Sequence, residues 1–134
     1  QESRFHGITG YEKLINKDEK AARSALLHMF VWNKLQPYEK CSQMFFENKK
    51  DYNFIANFIQ NTKTSDEDLL IQLADNLSNK DGFVTIEQRA QDLSERRGIK
   101  LDKEWLDSRH NLKLYFDKKV GQEKMGNCKK CRFC

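Results

Sequence analysis

Residues 38–59, YEKCSQMFFENKKDYNFIANFI, begin directly after the single proline, Pro37, and their reading decides the fold. On a helical period Cys41, Phe45, Asn48, Tyr52, Ile55 and Ile59 recur at three- and four-residue steps, one stripe able to face a core. Phe46 and Phe54 fall off that stripe, and Lys50 lies between them on the same outer side. Either another helix covers these two phenylalanines, or they stand on a surface that mixes aromatic groups with positive charge.

Upstream, the helical pattern runs from Gly10 to about Leu35. Leu14, Ile15, Ala22, Ala25, Leu26 and Met29 share a broad face, and Lys13, Lys17 and Lys20 line the opposite one. Leu27, Val31 and Leu35 continue that outer line at four-residue intervals. The expected helix is therefore basic outside in its first half and apolar outside in its second, which suits either a central place in a bundle or an exposed apolar patch. Pro37 ends it and opens the next helix.

Downstream, Gln60 to Thr64 is a polar connector. Ser65 followed by Asp66, Glu67 and Asp68 is a helix start, a hydroxyl cap with acids at the positive end of the first turn. Leu70, Leu73, Ala74 and Leu77 form its inner stripe. Thr85 and Gln88 have capping-box spacing, Ile86, Ala90 and Leu93 follow as a core stripe, and Arg96 and Arg97 precede Gly98. Asp102 caps a fifth helix with Trp105, Leu112 and Phe116 inward, although LKLYF alternates enough to allow a short strand. The expectation is an all-α single domain over 1–134, a bundle of about five helices near 10–35, 38–60, 65–78, 85–97 and 102–117, with a cysteine-containing tail at 121–134.

Composition agrees. The chain has 134 residues, six glycines and 33% charged residues, enough length to bury one core. No apolar run reaches the roughly 20 residues of a membrane span, since the longest, Ala25 to Trp32, is interrupted by His28. A net charge of +4 suits an anionic lipid or glycan surface and is too mild and mixed to point to nucleic acid. The start at Gln1, without Met or a leader, fits removal of a signal peptide and hence secretion.

NKDGFVTIEQ places Gly82 as the sixth residue of a calcium loop, with Asn79 and Asp81 third and fifth. Leu77 and Gln88 then stand where the first carboxylate and the bidentate Glu belong, so a turn followed by a helix cap is the better reading. Cys128, Cys131 and Cys134, in CKKCRFC, together with the distant Cys41, could hold zinc or an iron–sulfur cluster. Disulfides are the plainer reading in a secreted chain, with three intramolecular connectivities open. The inward position of Cys41 leads us to expect a bond from it to the tail. His6, His28 and His110 are isolated, and no zinc-protease pair, nucleophile elbow, P-loop or dinucleotide fingerprint is present, so neither catalysis nor a cofactor or metal is expected.

Phe45-Phe46-Glu47-Asn48-Lys49-Lys50 followed by Ala56-Asn57-Phe58 resembles the second helix of abalone sperm lysin, with its aromatic pair, Asn, two basic residues and later Ala-Asn-aromatic. Phe83-Val84, Arg89 and Arg96-Arg97 are similar to that family's apolar pair, Arg and double Arg, and Trp105-Leu106 to a later aromatic-Leu step. The stretch 60–82 is longer than the corresponding connection. The resemblance implies a bundle of about five helices and a place in the sperm acrosomal vesicle. It also implies a non-enzymatic part in fertilization, as in lysin, which opens the egg vitelline envelope, or its fusagenic eighteen-kilodalton paralogue, associated with sperm–egg membrane fusion. The modest charge, four cysteines and off-stripe aromatics favour the fusagenic side. The expected contact residues are Leu27, Val31, Leu35, Phe46 and Phe54, with Lys13, Lys17, Lys20 and Lys50. They would meet egg plasma membrane lipid or, alternatively, an egg-envelope glycoprotein.

Overall fold

Asp18 divides the first expected helix in two. Its carboxylate accepts a hydrogen bond from the Ala21 amide at 3.1 Å and caps a new helix, so the stretch 10–35 becomes α1 (His6–Leu14) and α2 (Glu19–Leu27). The computed structural model describes residues 5–127, with 42–45 and 122–127 described by their backbone alone. α1 packs closely on α2 because Gly7 and Gly10 lie against Ala25. A Cβ on Gly7 would come within 2.5 Å of the Phe5 ring and 2.9 Å of the Ala25 carbonyl oxygen.

After α2 the chain passes through a single 3-10 turn, Val31–Asn33, in which Trp32 (φ 64°) and Asn33 (φ 50°) both take the left-handed conformation. Two successive non-glycine residues there are unfavourable unless their surroundings hold them. Gln72 supplies much of that hold. Its Oε1 accepts from the Trp32 amide at 2.9 Å, and its Nε2 donates to Asn33 Oδ1 at 2.6 Å and to the Leu27 carbonyl at 3.2 Å. Asn33 Nδ2 donates to Asp68 Oδ2 at 3.1 Å, and Asp68 receives Arg23 through Nε at 2.7 Å and Nη2 at 2.6 Å. Trp32 Nε1 reaches the Ser108 carbonyl at 3.1 Å. One buried polar network thus ties the turn to two later helices.

The stretch 38–60 is also broken, into α3 (Tyr38–Phe45) and α4 (Lys49–Gln60). Phe46 is extended (φ −123°, ψ 125°), and Asn48 caps α4 by accepting from the Asp51 amide at 2.9 Å. α5 (Asp66–Asn76) and α6 (Ile86–Arg97) start on reciprocal capping boxes, Ser65 with Asp68 and Thr85 with Gln88. Between them β1 (Ser78–Asn79) and β2 (Gly82–Phe83) pair antiparallel as a small hairpin, with Gly82 at φ 124°. Gly98 ends α6 in the left-handed conformation, the usual role of glycine past a helix C-terminus. Asp102 then accepts from the Trp105 amide at 2.9 Å ahead of α7 (Lys103–Asn127). LKLYF is helical, and the helix continues well past 117 into the expected tail.

The result is an all-α fold of seven α-helices among the described residues, where about five were expected. The core has two clusters. One gathers Phe5, Ile8, Leu26, Leu27, Phe30, Cys41, Phe46 and Ile55, and the other Val31, Leu69, Leu73 and Leu112. The amide of Phe5 donates to buried Asp51 at 2.8 Å, fastening the start of α1 to α4.

Candidate functional site

The expected apolar contact line is largely inside the protein. Leu27, Val31 and Phe46 are 1%, 5% and 4% exposed, and Leu35 packs half-buried against the first cluster. For Leu27 the cause is that α2 packs against both α1 and α5, which leaves it little outer face at this end, and Val31 lies past the end of α2 in the 3-10 turn, off the helical line. For Phe46 it is the break before Asn48. The extended residue swings its ring inward, stacked with Phe30 at 6.1 Å and edge-on to Tyr52 at 5.6 Å. Phe54 alone of the apolar set stays at the surface, with one edge against Tyr11. Lys13, Lys17, Lys20 and Lys50 are exposed as expected.

Other apolar side chains occupy the surface instead. Phe83 is 97% exposed on β2, and Leu70, Ile71, Leu114 and Val120 stand out from α5 and α7. Phe83 belongs to no helical stripe, and NKDGFVTIEQ presents it only as the residue after a turn glycine. Its signal was available in DGF, a turn glycine followed by an aromatic with no apolar partner two residues on to form a strand face.

Cys41 is a buried free thiol, its Sγ 3.5 Å from the Gln36 carbonyl, and burial pushes its pKa up. Cys128, Cys131 and Cys134 lie outside the described residues, and with them the expected bond to the tail. Among the described residues no group of three or more His, Cys, Asp or Glu is placed to hold a metal. His6 and His28 meet through their Nε2 atoms at 3.2 Å, with His28 Nδ1 donating to the Ala25 carbonyl at 2.8 Å. The two histidines are 22 residues apart in sequence and meet only because α1 packs on α2.

A cleft of about 990 Å³ lies between the 29–41 segment and the start of α7. Met29, Leu35, Trp32 and Trp105 contribute apolar wall, and Arg109 lies in it with its guanidinium 4.1 Å from the centre of the Trp105 ring. Arg109 Nη1 donates to Ser108 Oγ at 2.8 Å and its Nε to Asn76 Oδ1 at 3.4 Å. Burial pushes the Arg109 pKa down to about 10, against the opposing charge of Asp75. A second pocket of about 40 Å³ touches Arg109, Trp105 and Arg89, whose Nε is buried without a hydrogen-bond partner among the described residues.

No protein-family model, curated protein or solved structure matches this chain. Among the described residues no helix is long and apolar enough to cross a membrane.

Proposed function

We propose that this chain is a secreted, non-enzymatic protein of the sperm acrosome that acts in fertilization by promoting sperm–egg membrane fusion through exposed apolar and basic side chains. The resemblance in residues 45–50, 56–58, 83–84, 89 and 96–97 and the all-α fold support this reading. The observation that carries it is Phe83. A phenylalanine left 97% exposed on a two-strand hairpin gains nothing for the fold and is free to enter a lipid interface. Lys80 in the same hairpin, with Lys13, Lys17 and Lys50, is exposed and would draw the protein to anionic headgroups. The test is leakage and lipid mixing of phosphatidylserine-containing vesicles beside neutral ones. Wild type should act on the anionic vesicles, and Phe83→Ser should lose most of that activity while remaining folded. Equal activity of the folded variant would remove the tip from the mechanism.

A lysin-like reading, binding and opening of the egg vitelline envelope, draws on a separate observation. Of the surface expected from sequence, the lysines remain outside while Leu27, Val31 and Phe46 go in, so that face is more basic than apolar. Dissolution of isolated envelopes at stoichiometric protein, with no effect on vesicles, would favour it.

A further inference from the structure

We propose that the cleft between the 29–41 segment and α7 binds a small amphipathic anion, its oxyanionic head on Arg109 and its apolar body along Trp32, Leu35 and Trp105. A charge withdrawn from water is normally matched by an opposite charge within hydrogen-bond reach. Arg109 is half-buried against Trp105, and although the charge of Asp75 acts on it, among the described residues it makes no ion pair. Its two hydrogen bonds go to the neutral groups Asn76 and Ser108. A guanidinium carries five N–H donors, so three are left for a ligand, enough for a two-point contact with a carboxylate or phosphate.

The surroundings hold the group ready. Trp105 supports its face, Ser108 is itself fixed by donating to the Trp105 carbonyl at 2.8 Å, and Asn76 is fixed by donating to the Gln72 carbonyl at 2.8 Å. The Ser108 carbonyl accepts the Trp32 indole, so the strained turn and the Arg109 support share one residue. Pre-organisation of this kind lowers the entropy lost on binding.

Charge around the cleft points the same way. Lys34, Lys40, Lys100 and Lys103 line it with Arg109, five cations against three carboxylates, Asp102, Glu104 and Asp107. Two of those acids are already engaged, Asp102 by the Trp105 amide and Glu104 by Gln36 Nε2 at 3.5 Å. A cleft of about 990 Å³ with two tryptophans in its wall suits a small organic molecule rather than a bare ion.

Titration calorimetry of the whole chain with 4-phenylbutyrate, phenyl phosphate and inorganic phosphate tests this and separates carboxylate from phosphate heads. We expect saturable one-to-one binding of at least one aromatic anion, with inorganic phosphate at least tenfold weaker and all three weakened by salt. Arg109→Met should weaken the best ligand at least tenfold, and Arg109→Lys by less. Because Arg109→Met also removes a structural contact, the wild-type protein is titrated in parallel by NMR, where the indole N–H signals of Trp32 and Trp105 should move first. The surface variant Lys34→Glu should weaken binding about threefold without loss of fold. No saturable binding at millimolar ligand, shifts confined to residues outside the cleft, or undiminished binding by a folded Arg109→Met would overturn the proposal. Loss of vesicle activity in Phe83→Ser should leave ligand binding unchanged, so the two surfaces are judged separately.

Discussion

Gln72 Nε2 donates to Asn33 Oδ1 at 2.6 Å, across 39 residues of sequence, and both side chains are buried. The same amide group receives the Trp32 N–H and bonds the Leu27 carbonyl, so one side chain satisfies a turn whose two central residues are both left-handed. Gln72→Ala should therefore lower stability by about 3 kcal/mol, since it strands buried donors and acceptors as well as leaving a cavity. Urea unfolding followed by circular dichroism measures it. A loss below about 1 kcal/mol would mean that packing alone holds the turn.

The pH dependence has two windows. Burial alone would raise the Asp68 pKa, but the bonds from Arg23, the Ser65 amide and Asn33 outweigh it and leave the net value lowered. A carboxylate held low stabilises the fold above its unfolded pKa of about 4 and loses that contribution as pH falls through its folded value. His6 is lowered by burial first, then by His28 and Arg97, with Asp75 opposing. Its unfolded form takes up a proton more readily, so stability also falls as pH drops below about 6.5. Thermal melts should show both declines. His6→Ala should flatten the upper one, and Arg23→Met should lower stability at neutral pH and make the loss below pH 4 shallower. An unchanged profile in either variant would contradict its assignment.

Phe46 and Phe83 should part company on truncation. Phe46 sits among Phe5, Phe30 and Tyr52, and Phe46→Ala should cost about 3–5 kcal/mol. Phe83 has almost no contacts to lose, so Phe83→Ala should change stability by about 0.5 kcal/mol or less. Parallel denaturant titrations of the two variants decide the matter, and similar midpoints would refute the contrast.

Cys41 is 3% exposed and its thiol pKa is raised by burial. Alkylation by iodoacetamide at pH 8 should be slow in the folded protein and rapid in urea. Peptide mapping without reduction then shows whether Cys41 stays a free thiol. A recovered cross-link to the peptide containing Cys128, Cys131 or Cys134 would establish the bond to the tail in place of the free thiol.

Helix starts were legible because a cap is local chemistry. Ser65, Thr85 and Asp102 each reach an amide three residues ahead, and Gly98 needs only its own backbone freedom, so short-range spacing carries the whole signal. The breaks at Asp18 and Asn48 used the same chemistry, but there a continuous apolar period ran across the cap and outweighed it. That the fold is helical and single-domain thus lay in composition and period. Which aromatics face water did not, because each break rotates everything after it and a helical wheel assumes no break. Phe46 is core only because the chain turns extended beside Asn48. The Trp32–Asn33 turn and the Arg109 cleft lay further from reach. Both depend on Gln72, Asn76 and Ser108 meeting partners 33 to 76 positions away, and a single polar residue inside a helix carries no mark in sequence of the partner it will meet.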